Sequence, residues 1–149
     1  MKAFLEEKDA VRNLALILDS DNIKTRIEVL YLLAIVCSWS NAGFELVLDA
    51  FNHYKLVKRE STRFADLVKN LKTVKDQEYK GHIMMMINAL LSSPPEETTR
   101  IFLQKEFRNL GLMDIVAVSV TISIENLSIV VGVERNFRYR NFGCTIEYF

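Results

Sequence analysis

The sequence predicts an all-α protein built from stacked helices. Apolar residues recur at three- and four-residue spacing in successive segments up to about residue 110, the period of helices buried on one face. Two of these segments, residues 27–37 and 83–91, are apolar almost throughout, and such a helix belongs inside a helical stack or in a membrane. Both are shorter than the roughly 20 residues that a membrane span needs. We therefore predict two inner helices flanked by amphipathic ones.

Capping residues mark where the first helices begin. We expect the first helix to start near Asp9, and the first inner helix to be capped by Asp21 or Asn22. Glu28 is the only residue in 27–37 that is not apolar. We therefore expect this inner helix to be buried around most of its circumference.

The later helices follow the same logic. Amphipathic helices are expected over residues 44–54 and 64–71, Asp76 can open the second inner helix, Pro95 can start a sixth helix and Gly111 can end it. Inner helices about fifty residues apart, joined by short loops, are typical of stacked three-helix repeats. The sequence therefore predicts an armadillo-like helical solenoid fragment rather than a four-helix bundle.

The C-terminal part breaks this pattern. Residues 116–124 alternate at period two with β-branched side chains, which is a strand signal, and nothing upstream supplies a sheet. We predict one helical domain over residues 1–115, N-terminally truncated, followed by a divergent tail over residues 116–149. This tail is expected to be irregular, β-prone or disordered.

Composition and motifs argue against several functions. Nineteen basic residues balance nineteen acidic ones, so no bulk charge draws the chain to nucleic acid. His53 and His82 lack partners at metal-ligand spacing, Cys37 and Cys144 are far apart, and glycines form no phosphate loop. The sequence thus predicts a binding protein and not an enzyme, with no cofactor and no metal. It carries no signal peptide and no transmembrane run, which indicates a cytoplasmic location.

Three consecutive methionines, residues 84–86, indicate a second apolar surface. Neighbouring residues on a helix point about 100° apart, so the three cannot all face one core, unless the helix is buried on nearly every side. Methionine suits adaptable grooves that receive partner helices. Stripes at helical spacing on the two inner helices would form a concave apolar floor with polar anchors. The stripe residues are Tyr31, Ile35, Ser38, Met85 and Asn88.

Four sequence blocks carry a resemblance to a known family. KTRIEVLYLLAIVC (24–37), ESTRF (60–64), INALL (87–91) and FLQKEFRNLGL (102–112) resemble, in order and spacing, the armadillo-like regulatory region of formins. The resemblance covers about residues 1–115, the later part of the formin-homology-three region. It is nearest to the Dishevelled-associated group of diaphanous-related formins.

This resemblance implies a regulatory role in actin filament assembly. In the family, the concave face binds the formin's own C-terminal autoregulatory helix, and a Rho-family GTPase, held mainly by earlier repeats, relieves the inhibition. The family positions that contact the peptide correspond to Ile35, Ser38, Met85 and Asn88. The family usually has a small residue at the position of Ile35, and some relatives have a polar residue at the position of Met85. Actin would be reached only indirectly, through a polymerising domain outside this chain, and the protein would be cytoskeleton-associated. Two alternatives stay open, an unrelated armadillo or HEAT adaptor and a truncated product without autonomous function.

Overall fold

The computed structural model describes the backbone of residues 2–116 and the side chains of residues 8–116. This part of the chain is all-α and armadillo-like, as predicted. A 3-10 turn (Ile17–Asp19) follows the first helix, and residues 112–116 add a helical turn after the last. The predicted tail lies outside the described residues, apart from Val116. The helices are α1 (Lys2–Leu16), α2 (Ile23–Trp39), α3 (Asn41–Lys58), α4 (Ala65–Thr73), α5 (Gln77–Ser92) and α6 (Glu97–Asn109).

Side-chain caps fix the starts of three helices. The Asn22 side chain accepts hydrogen bonds from two backbone N–H groups of α2, at 3.0 and 3.4 Å. Ser40 caps α3 in the same way, so the break between α2 and α3 is a single residue. Asp76 accepts a 2.9 Å hydrogen bond from the Tyr79 N–H at the start of α5. Each cap satisfies backbone donors that have no partner within the helix.

Two predicted helix starts are wrong. Asp9 lies inside α1, where its carboxylate is 3.6 Å from the Arg12 guanidinium, because the preceding residues include the strong helix formers alanine, leucine, glutamate and lysine. Pro95 also lies before its helix and not at the first position. Glu96 is extended in the N-cap position, and α6 begins at Glu97.

The two inner helices pack side by side and run parallel. At one end the Arg26 guanidinium lies 6.0 Å from the centre of the Tyr79 ring. At the other end Ser93, the residue that follows α5, lies next to the Cys37 thiol. The first contact joins the starts of α2 and α5 and the second lies at their ends, so the helices run in the same direction, as successive inner helices of a solenoid do.

The expectation that α2 is buried around most of its circumference is wrong. α3 and α5 each pack against this helix, and part of its surface stays exposed to solvent. An apolar residue is buried only where a neighbouring element covers it. Exposed apolar residues of α2 include Tyr31, Leu32, Ile35 and Trp39.

Three phenylalanine rings pack together in the second half of the core. The Phe64 ring stacks on Phe107 with centroids 4.7 Å apart, and meets Phe51 edge-on at 5.3 Å. Beside them, the Arg63 guanidinium makes a two-pronged ion pair with the Glu106 carboxylate at 2.8–3.2 Å. These contacts hold the corner between α3 and α4 against α6.

Candidate peptide-binding groove

An open groove lies along the seam between α2 and α5. Its volume is about 360 Å³. All five residues that the sequence predicts for the peptide site line this one groove, although their role in binding stays a prediction. The lining residues are Tyr31, Ala34, Ile35, Ser38, Met85, Asn88, Ala89 and Ser92.

The groove exists because the two stripes face the same side of the stack. Tyr31, Ile35 and Ser38 follow i, i+4, i+7 spacing on α2, and the stripe of α5 lies next to it because the helices are parallel. Small residues form the floor, where Ala34 and Ala89 are buried. Small side chains there leave depth between two closely packed helices.

Sequence reasoning missed three lining residues, Ala34, Ala89 and Ser92. A signal was present, since Ala89 and Ser92 lie four residues beyond Met85 and Asn88 on the same stripe. Small residues next to a stripe of larger ones are a feature of a groove floor.

The groove surface is largely apolar, and none of its described lining residues is charged. Tyr31 and Ile35 remain 48% and 42% exposed, which leaves apolar area available to a partner. The methionine triplet is divided between surfaces: Met86 is fully buried in the core, whereas Met84 and Met85 are half-buried. The structure therefore agrees with the geometric argument that the three cannot share one surface.

Asn88 is the main polar feature of the groove. Its side chain is half-buried and makes no hydrogen bond with another described residue. A half-buried amide offers two donors and an acceptor. Asn88 is thus available to a ligand and does not tie down neighbouring backbone.

No reactive centre accompanies the groove among the described residues. Burial raises the pKa of the Cys37 thiol to about 11, although the hydrogen bond from Ser93 opposes this, so the thiol stays protonated at neutral pH. His82 Nδ1 lies 2.9 Å from the Glu78 carbonyl oxygen on its own helix, and His53 lies on α3. Within residues 8–116, no group of histidine, cysteine and acidic side chains is placed to hold a metal ion.

Parallel inner helices with amphipathic helices around them define the described part of this molecule as an armadillo-like helical module. Residues 44–133, more than half of the chain, match the family described as the Diaphanous FH3 Domain. The chain therefore belongs to the Diaphanous FH3 Domain family, a regulatory region of formins. This assignment favours the formin interpretation over an unrelated adaptor.

Individual formins show the same likeness. The chain is 34% identical to Formin-F of Dictyostelium discoideum over 111 residues, covering 72% of this chain and 9% of that protein. It is 35% identical to inverted formin-2 of Xenopus laevis over 105 residues, covering 70% and 10%. For human Formin-like protein 2 the identity is 36% over 104 residues, covering 69% and 10%. The chain thus spans about a tenth of the length of these relatives.

None of the helices in the described part of the chain combines the length and the apolar character needed to cross a bilayer.

Proposed function

We propose that the groove between α2 and α5 binds an amphipathic helix from the C-terminal autoregulatory segment of a formin. The observation that carries this proposal is the Asn88 amide, which pairs with no other described residue and lies in a largely apolar groove whose described lining carries no charge. A helix lying in an apolar groove makes contacts at i, i+3, i+4 and i+7, and a single polar anchor fixes its register. Membership of the FH3 family supports a formin segment as the partner.

The proposed role is regulatory and non-catalytic. Binding of the helix would hold the formin inactive, and a Rho-family GTPase, bound mainly by residues outside this chain, would release it. Control of actin filament assembly would follow through an actin-polymerising domain that is also outside the chain. The protein would then act in the cytoplasm at the actin cytoskeleton.

The direct test is a titration of a fluorescently labelled peptide of the autoregulatory segment into the chain, followed by anisotropy. We expect saturable binding that Asn88→Ala weakens about fivefold, the effect of losing one hydrogen bond. The unfolding midpoint should stay nearly unchanged, because Asn88 makes no hydrogen bond with another described residue.

Asn52→Ala is the matched control, since Asn52 is exposed on α3 and does not line the groove. The same substitution there should leave peptide affinity unchanged. Equal affinity of the Asn88→Ala variant and the unmodified chain would contradict the proposed anchor, and a large loss of stability would show that Asn88 is structural.

Ile35 provides a second test of the groove. Its side chain lines the groove and is 42% exposed, so a bound peptide would meet it. Ile35→Ala should therefore tighten peptide binding a few-fold if width limits entry, or weaken it by a similar factor if Ile35 is an apolar contact. An unchanged affinity would mean that the peptide does not reach this part of α2.

A further inference from the structure

A second cavity lies away from the groove, where α4 meets the end of α6. It has a volume of about 620 Å³ and is bounded by α4, the first half of α5 and residues 110–115. This volume is within the range of roughly 300–1,000 Å³ that is usual for small-molecule sites. It shares no lining residue with the groove.

Gly111, whose backbone is in the left-handed conformation, forms part of the wall of this cavity. Gly111 has φ of +80°, which side chains with a Cβ rarely adopt, and its N–H donates to the Arg108 carbonyl at 3.0 Å. The chain turns there, and the buried Leu112 anchors the next helical turn. Leu110 and Ile115 are half-buried and form apolar walls of the cavity. Residues of α4 form another part of its lining.

Three lysines form the charged part of the lining. Lys69 and Lys72 come from α4, Lys80 comes from α5, and Asp114 is the only acidic residue among the described lining residues. None of the three ammonium groups is ion-paired with another described residue. Unpaired cations next to apolar walls are complementary to a ligand that is apolar at one end and anionic at the other.

We propose that this lysine-rimmed cavity binds a single-chain amphiphilic anion, with its headgroup at Lys69, Lys72 and Lys80. The hydrocarbon chain lies against Ala65, Leu110 and Ile115, where burial of apolar surface provides the affinity. The lysines give selectivity for an anion, because an ammonium group is a flexible point charge that can follow a carboxylate. The site is independent of the peptide groove, so neither proposal depends on the other.

The experiment uses dodecanoate as the probe, at concentrations where it is monomeric, with the full 149-residue chain. We expect saturable one-to-one binding by calorimetry, with methyl resonance shifts at Ala65 and Ile115. Dodecanol, which has the same chain length without the charge, should bind at least about tenfold more weakly. Raising the salt concentration should weaken dodecanoate binding.

Charge-matched variants separate the cavity from the general surface. The double variant Lys69→Glu and Lys72→Glu should weaken dodecanoate binding about tenfold or more. Lys24→Glu with Lys105→Glu makes the same change in net charge at two exposed lysines outside the cavity, and should leave the affinity nearly unchanged. Ala65→Trp should abolish binding by filling the cavity, with the helical circular dichroism spectrum retained.

Three results would overturn the proposal. Dodecanol could bind as tightly as dodecanoate, or both double variants could lose affinity equally. Alternatively, the chain could associate with anionic phospholipid vesicles without binding monomeric dodecanoate. That last outcome would describe a surface contact and not an occupied cavity.

Discussion

Gly43 and Gly81 both lie in helices but differ in the space that is available for a side chain. A Cβ built on Gly43 would lie 2.1 Å from the Val36 carbonyl oxygen, because α3 starts against the end of α2 after a single connecting residue. A Cβ built on Gly81, in α5, meets no atom within 4 Å. The absence of a side chain is therefore required at Gly43, whereas at Gly81 it only lowers helix propensity.

Substitution by alanine should separate these two cases. Gly43→Ala is expected to destabilise the protein by about 1–3 kcal/mol, because backbone must move to admit the methyl group. Gly81→Ala is expected to stabilise it by up to about 1 kcal/mol through the lower entropy of the unfolded chain. Urea unfolding midpoints measure both effects. A neutral Gly43→Ala variant would show that the corner between α2 and α3 is looser than described.

Asp49 links α3 to α1 and should make stability sensitive to acid. Its carboxylate lies 2.9 Å from the Lys8 ammonium and accepts hydrogen bonds from the Arg12 guanidinium at 2.6 and 3.2 Å. Burial alone would raise the pKa of Asp49, but the hydrogen bonds and positive charges of Arg12 and Lys8 outweigh burial and lower it.

A lowered pKa in the folded state means that the unfolded chain binds more protons in acid. The contribution of Asp49 should therefore be complete above the ordinary aspartate pKa of about 3.9 and be lost as the pH falls towards the folded value. We expect Asp49→Asn to cost at most about 1 kcal/mol at neutral pH and to flatten the acid limb of the stability curve. Asp21→Asn is the control, because Asp21 is exposed and makes no ion pair with another residue that the structure describes. An identical acid limb in Asp49→Asn and the unmodified chain would exclude this linkage.

At the scale of elements, α2 contributes both to the core and to the groove. Leu33 is fully buried between its neighbours, whereas the next residue back, Leu32, is 46% exposed to solvent. Adjacent residues of the same type thus have different environments, because they project about 100° apart around the helix. The helix is stabilised through one set of side chains and offers another set to a partner.

Aspartate at each of these leucines tests the assignment. Leu33→Asp should remove cooperative unfolding, because it buries an unpaired charge at a cost of several kcal/mol. Leu32→Asp should change the free energy of unfolding by no more than about 1 kcal/mol, since the carboxylate stays in water. Circular dichroism during thermal unfolding distinguishes the outcomes. A cooperatively folded Leu33→Asp variant would refute the inner-helix position of α2.

At the scale of the whole molecule, two observations concern the residue at which the domain ends. Ile115 and Val116 are half-buried against the core, and the sequence predicts a boundary there. The family match continues to residue 133. The boundary predicted near residue 116 is therefore still a prediction, as is the subgroup of formins to which the chain is nearest.

A comparison of truncated chains would show at which residue the folded domain ends. If the domain ends near residue 116, residues 1–116 should be at least as soluble as the full chain and should unfold at the same temperature as residues 1–133. A higher unfolding temperature for residues 1–133 would instead mean that the additional matched segment packs on the described helices. Differential scanning calorimetry of the three lengths makes the comparison.

Much of the fold and of the groove could be predicted from local pattern. Asp76 marks the start of α5, and the stripes of Tyr31 and Asn88 meet because helical spacing fixes which residues share a face. The exposure of Trp39, at 84%, could not be predicted, since it depends on which elements cover α2. The lysine-rimmed cavity was equally inaccessible, because the turn at Gly111 determines which part of the chain lies against α4.

Because α2 and α5 run parallel, the electrostatic potential differs between the two ends of the groove. Every peptide dipole in both helices points the same way, so partial positive charge gathers at the end near Asn22 and Asp76 and partial negative charge at the end near Trp39 and Ser92. In an antiparallel pair these fields would cancel. A segment lying along the seam consequently meets a potential that differs between its two ends, and its own helix is more stable with its dipole opposed to those of α2 and α5. The fold can thus favour one direction of a bound chain without a charged side chain in the groove.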